Sequence, residues 1–281
     1  MGMQINTNIA ANNAYRNLNN TQSDLSKSLE KLSSGLRINR AADDAAGLAI
    51  SEGLKSQVGG LTVAARNAQD GISVVQTAEG SLTEVHSILQ RMRDLAVQGG
   101  NDSNNATSRA AIQTEADELG KELYRITNGT NFNGIDLLKG GTLTFQVGAG
   151  STANDSIDVN LANVATSVGA LASADGVANP TGFDVTDNAA AKTTITAIDG
   201  AIDAISTARS TLGASQNRFE SAVRSLNVSK ENLSAASSRI TDTDMAEEMV
   251  KYTRSNILSQ AGTAMLAQAN QSNQGVLQLL R

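Results

Sequence analysis

The chain has 281 residues, a formal net charge of −6 and a pI near 4.9, with 2% aromatics, one Pro and no Cys. The absence of Cys excludes disulfides, thiolate metal sites and Cys nucleophiles, and an acidic balance without a basic stripe argues against nucleic acid or an anionic membrane as partner. With so few aromatics, Leu, Ile, Val and Ala must fill the core, which suits slender helix packing, and a single Pro removes the main helix breaker.

The first residues, MGMQINTNIAANN, have no cationic stretch ahead of an apolar one, so no cleavable signal peptide is expected, and no apolar run is long enough to span a bilayer. Leu18, Leu25, Leu29, Leu32 and Leu36 make the first apolar seam. Asp43-Asp44 stands where the next helix should begin, and the helix dipole favours acidic residues there, so capping is preferred to catalysis or metal binding. Steps of seven from Leu54 then give Leu61, Ala68, Val75, Leu82, Leu89 and Ala96, a heptad without exception. Val58, Ala65 and Ile72 fill the second seam position, but Ala78, Val85 and Met92 continue it one residue early. The apolar face therefore shifts near Ala78 and leaves room for a third helix. The candidate is Arg109–Asn128, with Ile112, Ala116, Leu119, Leu123 and Ile126, entered after the breaker GGNDSNNATS and stopped at Asn128-Gly129.

From about Gly140 to Lys192 the chain is rich in Gly, Ser, Thr, Asn and Asp. Thr142–Val147 and Ser156–Leu161 alternate like short strands around a turn, which predicts a small antiparallel hairpin. The stretch from about Ser151 to Ala190 reads as polar surface loop, expected on the exterior of an assembly that its removal, from Val168 to Asn188, leaves intact. A second heptad follows: Ile198, Ile205, Leu212, Phe219, Leu226, Leu233 and Ile240. It equals the first in length, about 64 Å of helix at about 1.5 Å per residue, so the two helices are expected side by side. Asp242 and Asp244 read as another helix start, with Asp244 capping and Glu247 reaching back. Ala246, Val250, Thr253, Ile257, Ala261 and Ala264 then make a C-terminal seam, with Leu266 just beyond it.

Charge is missing from both ends. Before Asp24 the only charged side chain is Arg16, and none stands between Arg254 and Arg281. Solvated helices carry charge on the outer face. Faces of Asn, Gln, Ser and Ala pack against copies of themselves without burying ions, so the terminal faces are expected to become buried in an assembly. The thin, Ala-rich seam predicts that residues from about 1 to 40 and 240 to 281 are largely disordered in the monomer and helical in the assembly.

Catalytic patterns are not found. The lone His86 sits inside a heptad helix and makes no paired metal site; Gly148-Ala-Gly150 lacks the rest of a dinucleotide fingerprint; no P-loop and no Gly-x-Ser-x-Gly elbow occurs.

The two ends together resemble the flagellin family. The N-terminal part carries the resemblance through INTNIAANNA, LEKLSSGLRINRAADDAAGLAISEGL, NAQDGISVVQTAEGSLTEVHSILQRMRDLAVQ and ITNGTNFNGIDLL, with LTFQVGA like the start of the family's small β element. The C-terminal part carries it from RSTLGASQNRFESAVRSLNVSK through SRITDTDMAEEMVKYTRSNILSQAGTAMLAQANQSNQGVLQLLR. Roughly 1–147 and 195–281 are covered.

The resemblance implies a mainly α fold: a long antiparallel helical bundle or coiled coil with a small β-hairpin and no large outer domains. Residues 1–42 and 240–281 would form the paired inner layer, 43–140 and 192–239 the helical rod, and 141–191 a short surface insertion. It further implies a non-enzymatic subunit without cofactor, secreted unfolded through the flagellar export apparatus with an export chaperone. Such a subunit would add to copies of itself beneath a filament cap, above hook–filament junction proteins, in an extracellular filament used for swimming. Arg91, Leu95 and Glu115 match the family's contact positions for the flagellin-sensing Toll-like receptor, while Met92 and Asp94 depart conservatively; the plainer reading is a helix–helix ion pair beside a packing residue. Two other structural roles stand beside this one: a junction protein of the same apparatus, and a secreted adhesin or translocator with coiled-coil ends. An inserted zinc protease is excluded, because the central stretch has no His.

Overall fold

The computed structural model describes residues 8–172 and 182–279, with side chains up to residue 271. In chain order the elements are α1 (Ile9–Ser34), α2 (Ala45–Gly99), α3 (Ala106–Gly129), β1 (Asn131–Phe132), β2 (Ile135–Asp136), β3 (Lys139–Gln146), β4 (Ser156–Asn163), the one-turn α4 (Val164–Ser167), α5 (Asn188–Thr241) and α6 (Met245–Leu279). They divide into two compact units, residues 59–230 and residues 1–58 with 231–281.

In the 59–230 unit the two heptads meet. Ala68, Val75, Leu82, Leu89 and Ala96 of α2, and Ile198, Ile205, Leu212 and Phe219 of α5, are buried. The helices run antiparallel, as the Arg93 Nε–Asp199 Oδ1 (2.6 Å) and Arg209 Nη2–Glu79 Oε1 (3.7 Å) pairs show. Ala78, Val85 and Met92 are fully buried, so the apolar face does shift at Ala78. The third helix, α3, lies against that part of α2: Thr130 Oγ1 donates to Ser81 Oγ at 3.1 Å, and Ile112, Ala116 and Leu123 are buried. Leu61 and Leu226, at the other end of the stripes, are only half-buried.

The hairpin packs on the same bundle. β3 and β4 pair antiparallel, with Phe145 opposite Ile157 and Thr144 opposite Asp158. The alternation that predicts the strands divides their faces. Ile157, Val159 and Leu161 are buried, while Thr142 and Thr144 hydroxyls donate outward to Asn160 and Asp158. Phe145 meets Phe219 edge-on, with ring centroids 5.4 Å apart. Gly71 gives that ring its room: a Cβ there would lie 2.8 Å from Phe219 Cζ.

The hairpin loop closes on one carboxylate. Asp155 Oδ2 accepts from the Thr152 hydroxyl at 2.6 Å and from the Thr152 amide at 3.0 Å. These bonds hold the Asp155 carboxyl below its ordinary range. A lowered folded-state value means that the contribution is complete above the unfolded value of about 3.9 and is lost as pH falls through the folded one. The Thr152 amide resonance, followed from neutral to acid, should therefore move with a midpoint below about pH 3.9.

One expectation is overturned. The stretch after β4 is not all surface loop: Val164, Val168, Leu171, Phe183 and Val185 are buried in the core. Residues 173–181, which the loop reading also covers, lie outside the described residues. Val185 fills the space left by Gly99, where a Cβ would come within 2.7 Å of the Val185 Cβ. Backbone bonds fix the strap: Gln113 Nε2 donates to Phe183 O at 3.1 Å, Arg109 Nη1 to Thr186 O at 2.6 Å and Asn188 Nδ2 to Gly100 O at 2.6 Å. Removing residues 168–188 is therefore expected to destabilise the bundle. Burial of Phe183 alone is worth about 3–5 kcal/mol against Ala, and a clear fall in the thermal midpoint should report its loss.

In the other unit α1 and α6 pair antiparallel. Asn8 Nδ2 donates to Ala269 O at 2.9 Å, and Ser259 Oγ to Gln22 Oε1 at 3.4 Å. The chain between α1 and α2 is tied to the end of α5 and the turn after it: Arg37 N donates to Thr241 O at 2.6 Å, Thr243 N to Gly35 O at 3.0 Å and Arg37 Nη2 to Ile240 O at 2.8 Å. Gly35 ends α1 with φ 73°, a conformation that costs glycine little. Leu54 and Leu233 are half-buried.

Candidate assembly surface

The terminal pair uses a narrow seam. On α1, Leu18, Leu25 and Leu32 are half-buried in it, Leu29 is 53% exposed, and Leu36 lies beyond the helix in a bridge to Asp242. On α6 the inward residues are Glu248, Tyr252, Ser255, Ser259, Gly262, Leu266 and Ala269, all buried or half-buried. They recur at alternating steps of four and three, as a helix seam requires. Small side chains let the helices approach: a Cβ on Gly262 would lie 3.2 Å from Leu18 Cδ1.

The stripe that the sequence offers as the α6 seam is therefore not the surface that meets α1. Val250 is 57% and Ile257 67% exposed, and Ala246, Thr253, Ala261 and Ala264 are exposed as well. Only Leu266 of the expected α6 set packs inward. The heptad of apolar residues is present, but it points away from α1. Met245, Met249, Leu258 and Met265 add to the exposed apolar surface of this helix. The inward set was missed because it is polar and small; its own signal was the repetition of Ser255, Gly262 and Ala269 seven residues apart.

One member of each acidic pair caps a helix, while Asp242 accepts from the Ser238 and Thr241 hydroxyls at the end of α5. Asp44 Oδ1 accepts from Gly47 N at 2.9 Å ahead of α2, and Asp244 Oδ1 from Ala246 N and Glu247 N ahead of α6. Glu247 does not reach back; it pairs with Lys251 at 2.9 Å. Asp43 Oδ2 accepts from the amides of Asn39 and Arg40, which pull its carboxyl below the usual range.

Arg91 and Glu115 join α2 to α3 through Nε at 2.8 Å and Nη2 at 2.5 Å to Oε1, with side chains 55% and 46% exposed. Leu95 is 2% exposed beneath them. His86 is half-buried, within 2.9 Å of Gln90 Nε2 through its own Nε2. Among the described residues no cluster of His, Cys, Asp and Glu can hold a metal ion, and no helix is long and apolar enough to cross a membrane.

The family models agree with this architecture. The bacterial flagellin N-terminal helical region matches residues 5–142 and the C-terminal helical region residues 195–280. The chain belongs to the bacterial flagellin family. A flagellin of Halalkalibacterium halodurans is 51% identical over 99% of this chain and all of its own length. A flagellin of Bacillus subtilis is 48% identical, with 99% of this chain and 100% of its own length covered. A 33 kDa core protein of the flagellar filament of Treponema phagedenis is 44% identical over the same shares.

Proposed function

We propose that the chain is the structural subunit of a bacterial flagellar filament and polymerises with copies of itself through its terminal helices. The observation that carries this is the α6 stripe: an apolar heptad facing away from its α1 partner, on a helix with no charged residue from Ser255 to the end of its described side chains. A solvated face made this way is costly, and contact with another helix removes the cost. The reading assigns residues 1–42 and 240–281 to an inner layer, 43–140 and 192–239 to a rod, and 141–191 to the insertion.

The family carries the finer parts. They are secretion through the flagellar export apparatus with a chaperone, growth beneath a cap above junction proteins, and an extracellular filament that drives swimming. The role is structural and not enzymatic. The test is growth from purified monomer on short filament seeds, followed by turbidity and electron microscopy. Long filaments are expected; a protein that stays monomeric on seeds of its own kind contradicts the reading and favours a junction or translocator role.

We also infer that soluble monomer is an agonist of the flagellin-sensing Toll-like receptor. The Arg91–Glu115 pair is exposed enough to be met, whereas Leu95 is buried in the folded monomer and offers a receptor no surface. Arg91→Ala, which leaves the core intact, should weaken signalling in receptor-bearing cells by roughly tenfold or more, the usual scale for a central interface Arg. Unchanged potency of the folded variant would remove this reading.

A further inference from the structure

The chain has neither Cys nor Trp, so the thioethers of its six methionines are its most readily oxidised side chains. Their environments differ sharply. Met92 is 0% exposed in the bundle core. Met245, Met249 and Met265 all stand on α6 and are 47%, 49% and 65% exposed. They flank the outward stripe of Val250 and Ile257, Met245 and Met249 on one side of the helix and Met265 on the other.

We infer that Met245, Met249 and Met265 are an oxidation-sensitive modification site, at which an oxidant of the peroxide class disables the exposed surface of α6 through which the free subunit polymerises. The inference rests on the assembly reading above. In each step the thioether sulfur attacks a peroxide oxygen. An S–O bond forms as the O–O bond breaks, the sulfur gives up two electrons to become a sulfoxide, and the peroxide is reduced to water. The product is polar and chiral where an apolar, flexible side chain stood. Its oxygen needs a donor or water, and a second copy closing over the face removes the water. Once a subunit is in the filament the same side chains are covered, so oxidation acts on subunits before addition and spares those already added.

The experiment exposes purified monomer to hydrogen peroxide for increasing times, maps each methionine by peptide mass, and measures growth on seeds beside untreated monomer. Met245, Met249 and Met265 should each gain one oxygen well before Met92. Growth should fall by about tenfold or more in step with those three positions rather than with Met1 or Met3. Reduction by methionine sulfoxide reductases should restore it. A Met245→Leu, Met249→Leu, Met265→Leu protein, compared with itself before and after peroxide, should keep its own rate. Failure of untreated monomer to grow would overturn the assembly reading itself. Undiminished growth with all three sulfoxides in place would overturn this inference and leave assembly standing. Loss that follows Met1 or Met3, or that persists after the sulfoxides are reduced, would overturn it too.

Discussion

Ile257→Asp should abolish filament growth while leaving the monomer folded. Ile257 is 67% exposed and lies on the face of α6 turned from α1, so in the single chain a carboxylate there stays in water. Beneath a neighbouring copy it must be desolvated, with Arg254 one turn earlier as the last cation of the helix and no charged residue after it before the C-terminus. That penalty is several kcal/mol by rough estimate, repeated at every subunit added. Leu266→Asp differs, because Leu266 is half-buried on the inward face and its loss loosens the α1–α6 pair itself. Circular dichroism should show wild-type helix content for Ile257→Asp, and sedimentation should find it in the supernatant after seeding. Normal filaments from this variant would mean that the outward stripe meets nothing.

Phe219→Ala should give the largest loss of monomer stability. The ring is fully buried, edge-on to Phe145, and fitted against a glycine with no space for a Cβ. Truncating such a residue costs about 3–5 kcal/mol through lost burial and the cavity that remains. Domains have only about 5–15 kcal/mol in total. The thermal midpoint should fall by about 10 °C or more. A change within about 2 °C would mean that the hairpin and the two long helices do not share one core.

The rod was legible in the sequence because its partners lie in the same chain. Leu82, Leu89, Ile205 and Leu212 repeat at seven-residue steps and are buried by one another, so periodicity and burial coincide. Even the displaced face at Ala78, Val85 and Met92 could be read, since a third helix of the same chain covers it. The α6 stripe is a different case. Val250, Ile257 and Ala261 repeat as regularly, but periodicity marks a face without saying which helix meets it. The real α1–α6 contact runs through Ser255, Ser259 and Gly262, which hydrophobicity does not mark. Phe183 and Val185 were missed for a third reason. They are isolated apolar residues in polar chain, with no period, in a strap whose carbonyls accept from the Gln113 and Arg109 side chains of α3, which composition cannot show.

The terminal pair is expected to be marginal alone and completed by neighbours. Its seam sets three leucines of α1 against mostly small and polar residues of α6, and each ordered residue costs about 1–2 kcal/mol of backbone entropy. A helical reconstruction of filaments grown from the purified chain tests this most directly. It should place Val250, Ile257 and Ala261 against another copy, with the α1–α6 pair retained. Finding that stripe bathed in solvent along its whole length, with contacts made only by residues 59–230, would contradict the account.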